Sequence, residues 1–234
     1  MCGRYTLATD ADRLRETFPD FSIQGELPLR YNIAPSQDVA VVANIAEKRV
    51  EFFRWGLIPS WAKDPGIGDW MINARAESLA EKPSFRTAYR QRRCLILTDG
   101  FYEWYRQPGS QTKTPIYIRL RSGEPFAFAG LWDVWRSVEG PPVRSCTIIT
   151  TVPNELVGQI HNRMPVILKP ETYEVWLDPS ERSPDTLSGL LTPYPTEEMT
   201  AYPVSPLVNN PRTDTPTCIT PTGEANVAGW KDTR

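Results

Sequence analysis

The second residue of the chain is a cysteine, Cys2, and the position gives it a chemistry that an internal cysteine lacks. Removal of Met1 would leave one carbon bearing both a free amine and a thiol, a 1,2-aminothiol. An α-amino group titrates at about 7.7–8.0, so roughly a tenth of it is unprotonated at neutral pH, far more than of a lysine side chain. Such an amine attacks an aldehyde to give an imine. The neighbouring thiol can then close on the imine carbon as a five-membered thiazolidine, which is harder to hydrolyse than the open imine. Three further positions carry groups that suit such chemistry. His161 is the single histidine, set in Ile160-His161-Asn162-Arg163-Met164-Pro165 at an expected helix exit, where an imidazole can exchange protons near neutral pH. Glu103 stands between Tyr102 and Trp104, and partial burial among aromatics would raise its pKa into the range of a general acid or base. Asn73 and Arg75, in Asn73-Ala74-Arg75-Ala76-Glu77, offer an amide and a guanidinium that could orient a sugar or a phosphate. Each has a plain structural reading as well: an incidental cysteine, a capping histidine, an outward-facing strand glutamate, and a helix N-terminus with its cap.

Aromatic and basic residues suggest where a polyanion could lie. Trp55, Trp61, Trp70 and Trp104 are candidates for base stacking, with one or two expected to be accessible and the rest in the core. Arg86, Arg90, Arg92 and Arg93 could form a phosphate-binding strip or merely a solvated face. A formal net charge of -2 excludes a general polyanion binder, so any nucleic-acid site must be a local patch. Cys2, Cys94, Cys146 and Cys218 are scattered, with no C-x-x-C pair and one histidine, which gives neither a zinc site nor a disulfide framework. No metal, cofactor or nucleotide-phosphate loop is expected.

The elements that must position these residues are short. The 23 prolines predict many brief segments joined by stiff turns. A helix is expected at residues 10–18 with Thr9 as its cap, which leaves Cys2 on an extended arm. Residues 38–44 and 49–55 read as a hairpin, followed by a loop rich in Pro, Gly and Trp at 56–70. A helix at 84–90 precedes strands at 93–98, 102–106, 115–120, 126–131 and 146–151. Helices follow at 154–161, capped by Asn154, and at 171–177, after Pro170. The expected fold class is α+β with a mainly antiparallel sheet. Residues 1–208 form the expected domain. Residues 209–234 form a Pro- and Thr-rich tail, part of it strapped back on the body and the last dozen residues disordered. No apolar run reaches the roughly 20 residues of a membrane helix, and the chain is expected in the cytoplasm, away from membranes.

Taken in order, the motifs identify a resemblance to the SRAP family, the SOS-response-associated peptidases or abasic-site processing proteins. It rests on Met1-Cys2-Gly3-Arg4-Tyr5, Arg30-Tyr31-Asn32-Ile33-Ala34-Pro35, Trp55-Gly56-Leu57-Ile58-Pro59 and Ile72-Asn73-Ala74-Arg75-Ala76-Glu77. It continues through Asp99-Gly100-Phe101-Tyr102-Glu103-Trp104, Phe128 to Trp132, and the His161 segment, covering about residues 2–208. The resemblance implies a strongly bent, barrel-like sheet flanked by short helices. It implies a suicide-type reaction in which Cys2 joins the ring-opened sugar of an abasic site in single-stranded DNA, with lyase-like chemistry as a side path and self-removal of Met1. By the same resemblance Asn73 positions the cysteine or sugar, Glu103 is the acid/base and His161 helps at the sugar and its phosphate. Arg4, Arg75 and Arg163 would hold phosphates, while Asn32, Pro35, Trp61 and Trp104 would shape the groove. A monomer suffices, associated with the nucleoid if the source is bacterial. A cysteine peptidase acting on other proteins and a noncovalent single-strand binder are the alternatives.

Overall fold

The computed structural model describes residues 2–45, 47–107, 109, 111–137, 140–180 and 183–222. The expected disorder of the final dozen residues falls outside that set. Thirteen strands are present among the described residues. They are β1 (Tyr5–Leu7), β2 (Arg30–Ile33), β3 (Asp38–Ala43), β4 (Val50–Trp55), β5 (Asn73–Arg75), β6 (Arg93–Thr98) and β7 (Gly100–Arg106). Then follow β8 (Lys113–Leu120), β9 (Phe126–Trp135), β10 (Val143–Thr151), β11 (Met164–Pro165), β12 (Ile167–Leu168) and β13 (Met199–Pro203). The helices α1 (Ala11–Thr17), α2 (Arg86–Gln91), α3 (Glu155–Gly158), α4 (Tyr173–Leu177) and α5 (Pro184–Gly189) are all short, as the proline content predicts.

Five strands close on themselves. β3 pairs antiparallel with β4 and β6, β6 with β9, and β9 with β10. A parallel contact of Ser145 and Cys146 on β10 with Arg54 and Trp55 on β4 completes the ring. Closure leaves these strands no long free edge. The fold is therefore α+β, a mainly antiparallel barrel as expected, with two short parallel pairings, of β4 and of β5 with β10, that make it mixed. A second sheet, ordered β13-β8-β7-β1-β2, is antiparallel throughout.

Strand alternation gives the second sheet two covered faces. Phe101, Ile116, Ile118 and Ala201 join the main core shared with the barrel. Tyr102, Tyr117 and Tyr202 instead form a smaller cluster with Val204, Val208 and Cys218, which come from the chain after β13. Residues 209–222 are tied down there. Asp214 accepts from Arg30 Nε and the Tyr31 N–H, both at 2.5 Å, and Tyr202 Oη donates to Ile219 O at 3.1 Å.

The cap of α1 differs from expectation. Asp10 accepts from the Arg13 N–H at 2.9 Å, while Thr9 donates to Asp99 Oδ2 at 2.8 Å and is drawn out of the capping position. Asn154 caps α3 as expected, accepting from Val157 N at 2.9 Å.

Candidate active site

Cys2 does not sit on a free arm. It has no exposed surface and belongs to the main core, so the extended arm expected from the sequence is packed against the fold. The physical reason is pairing along β7: β1 aligns Tyr5 with Phe101, and the Tyr102 N–H donates to Arg4 O at 2.9 Å, so the residues before β1 run on beside β7. From the other side Asn73 Nδ2 donates to Cys2 O at 2.8 Å. Asn73 can reach it because β5 is fixed against β10, opposite Ile148, and the preceding Ile72 carbonyl accepts from Trp55 Nε1 at 3.0 Å. Asn73 thus begins a strand, not a helix. Its Oδ1 is buried without a hydrogen-bond partner among the described residues.

Glu103 is buried at 3% exposure, on the β7 face that looks to the barrel. Burial pushes its carboxyl up to about 7, with Lys113 pulling the other way. A carboxyl poised there is half protonated at neutral pH and can give or take a proton. Burial also pushes the Cys2 thiol well up, and the nearby Glu103 charge adds to the shift. His161 follows α3, its N–H bonded to Val157 O at 2.9 Å. Its Nδ1 accepts from the Arg163 N–H at 3.1 Å, which leaves Nε2 to carry the proton of the neutral ring. Burial lowers its pKa, and Lys113 lowers it further. Lys113, at the head of β8, therefore acts on both Glu103 and His161, and no sequence motif marks it. Cys2, Asn73, Glu103 and His161 gather from four separate segments into one electrostatic neighbourhood.

The residues expected to touch DNA divide sharply. Trp61 is 59% exposed and Trp70 88% exposed, on a loop whose path is set where Gly56, at φ +129°, meets Gly68 so closely that a Cβ would lie 2.5 Å from the Gly68 carbonyl oxygen. The turn holding half-buried Pro35 is tied to the same loop: Ser36 Oγ donates to Asp69 at 2.9 Å and Arg54 to Asp69 at 2.7 Å. Arg75 is exposed on β5. By contrast Asn32 is fully buried, its amide donating to Val208 O, Asn210 O and Thr213 O at 3.2, 3.0 and 2.6 Å. Arg4 donates to Asn32 Oδ1 and Val208 O, both at 2.7 Å, and lies over Trp104, whose Nε1 donates to Asn209 Oδ1 at 2.7 Å. These three hold the C-terminal segment. Arg163 is engaged by Glu77, as described below. Trp55 has no exposed surface and packs edge-on against Tyr5, so it stacks in the core. Arg93 likewise leaves the expected basic strip: it is buried, donating to Trp176 O at 2.8 Å and Tyr89 O at 3.1 Å.

Among the described residues no group of three or more His, Cys, Asp or Glu is arranged to hold a metal ion, and no helix is long and apolar enough to cross a membrane.

The sequence model of the family described as SOS response associated peptidase (SRAP) matches residues 1–211. The chain belongs to the SRAP family. Among curated SRAP relatives, the abasic site processing protein YoqW of Bacillus subtilis is 50% identical over 222 residues, 94% of this chain and 99% of the relative. The abasic site processing protein HMCES of Rattus norvegicus is 31% identical, covering 94% of this chain and 76% of its own. A crystal structure of a protein from Bacteroides thetaiotaomicron superposes with a TM-score of 0.84 at 28% identity, covering 94% of this chain and all of the other.

Proposed function

We propose that this SRAP protein processes abasic sites in single-stranded DNA by a covalent bond through Cys2. Removal of Met1 converts the Cys2 nitrogen into an amine. The ring-opened sugar presents an aldehyde; the amine adds to it and water leaves, giving an imine. The Cys2 sulfur then bonds to the imine carbon, the thiol proton passes to nitrogen, and a thiazolidine results. Glu103 serves both proton steps, protonating the departing hydroxyl and relaying the thiol proton, as its half-protonated state at neutral pH permits. Asn73 holds the Cys2 carbonyl, and His161 faces the sugar and its phosphate with a neutral ring. Closure of the thiazolidine competes with strand cleavage from the imine, so lyase-like activity is the minor path. Glu103 and His161 also assist Cys2 in the removal of Met1.

The observation that carries this reading is the burial of Cys2 against Asn73 with Glu103 at hand. A peptidase acting on other proteins would need an activated thiolate, whereas burial and Glu103 both hold this thiol protonated. The exposed Trp61 and Arg75 would contact the strand, beside the Pro35 turn. The test is a denaturing gel of protein with single-stranded DNA carrying one abasic site. A heat-stable shifted band is expected from processed wild type and none from Cys2→Ala or from a form retaining Met1; a band from Cys2→Ala would overturn the assignment.

A further inference from the structure

Two segments that carry candidate site residues, the one with Asn73 and the one with His161, are far apart in sequence and meet at one ion pair. Arg163 Nη1 donates to Glu77 Oε1 at 2.7 Å and Nη2 to Glu77 Oε2 at 2.9 Å, a bidentate fork. Nη2 also donates to Thr150 O at 2.6 Å. Thr150 is the β10 residue paired with Arg75 on one side and with Pro165 on the other, so the guanidinium bolts together β5, β10 and β11. The Arg163 side chain is 12% exposed and that of Glu77 53%, which seats the arginine deeply and leaves the carboxylate as its outer clasp. The Arg163 hydrogen bonds lower the Glu77 pKa and favour its ionised form. Bidentate arginine–carboxylate pairs fix orientation as well as distance. Arg163 also supplies the backbone N–H that His161 Nδ1 accepts.

We infer that Glu77 is a positioning residue: through its fork on Arg163 it sets the ring orientation of His161 and locks the His161 loop against the strand that presents Asn73. While the fork is closed, the outer edge of Arg163 is filled by a carboxylate, so its task in the DNA-free protein is to hold this loop and not to offer a free cation to phosphate. Neither the Asn73 motif nor the His161 motif alone points to this coupling, because it exists only once β5 and β11 lie on either side of Thr150.

The chain's only histidine makes the test direct, since its ring resonances in an NMR spectrum belong to one residue. In wild type without DNA, the neutral ring is expected as the Nε2–H tautomer, titrating below an ordinary histidine. In Glu77→Ala the ring should populate both tautomers and its midpoint should rise toward the ordinary value of about 6.5. Glu77→Gln, which keeps one acceptor oxygen, should fall between them. The second arm is the crosslinking rate, which relies on the function proposed above. Glu77→Ala should slow it about tenfold, with affinity for intact single-stranded DNA unchanged, and Glu77→Ala/Arg163→Ala should be no slower than Arg163→Ala alone. An unchanged tautomer and midpoint in Glu77→Ala, or losses that add fully in the double variant, would overturn the inference. A shifted ring in a protein that forms no crosslink would leave the inference standing and remove the proposed function.

Discussion

The two faces of β7 use the same four-residue run for opposite ends. Phe101 and Glu103 look toward the barrel, where burial pushes the Glu103 carboxyl up to about 7. Tyr102 and Trp104 look the other way, into a cluster closed by Val208, Cys218 and the segment that Asn32 and Arg4 hold by its carbonyls. One face buries a titratable carboxyl; the other packs aromatic rings against a hydrogen-bonded strap. Period-two alternation allows both because neighbouring side chains never share an environment. Under the proposed function, motif residues divide into those that would react and those that hold their surroundings in place, and proximity in sequence does not sort them.

Substitutions on each face should separate the two roles. The largest effect is expected from Glu103→Gln, which should slow crosslinking by about 10²–10⁴-fold in single-turnover assays while the protein stays folded. Its stability should show the linked sign. The native carboxyl titrates at about 7 against an unfolded value of about 4.3, so the native state binds more protons between those values and wild-type stability falls as pH rises through them. The Gln variant lacks that loss. Its unfolding free energy should exceed that of wild type by on the order of 1–3 kcal/mol at pH 8, read as a higher melting temperature, and the advantage should vanish by pH 4.

On the opposite face, Asn32→Ala should cost about 2–4 kcal/mol of stability, because it strips the donor from the carbonyls of residues 208, 210 and 213, the first of them buried, and the acceptor from Arg4. Chemical denaturation measures this, and protein that remains folded should crosslink at near the wild-type rate. A loss of activity without a loss of stability would break the division between the faces. The smallest effect is assigned to the exposed rim: Trp61→Ala should weaken binding to intact single-stranded DNA by about 1–2 kcal/mol in fluorescence titration, with no change in melting temperature.

The strands were readable from sequence wherever β-branched and aromatic residues ran between turn signals, as in β3, β4, β6 and β10. What could not be read was their closure. The β4–β10 contact joins residues some ninety positions apart through two paired positions, and β5 is only three residues long. Local pattern cannot signal a parallel pairing that short, which is why Asn73 also looked like a helix start. The Asp10 cap was missed because Asp99, distant in sequence, claims Thr9. The burial of Cys2 was missed because arm and β7 meet only in the folded sheet. The candidate reactive residues are visible through chemistry and family resemblance, whereas the burial of Asn32, the strap it holds and the Glu77–Arg163 fork arise from contacts between segments distant in sequence.

The central claim, a thiazolidine at an N-terminal Cys2, is tested most directly by the intact mass of the adduct formed with an abasic single strand, followed by peptide mapping. The account predicts a mass equal to the protein lacking Met1 plus the DNA minus one water, with the modification on the N-terminal cysteine. An adduct that retains Met1, maps to a lysine, or persists in Cys2→Ala would contradict it.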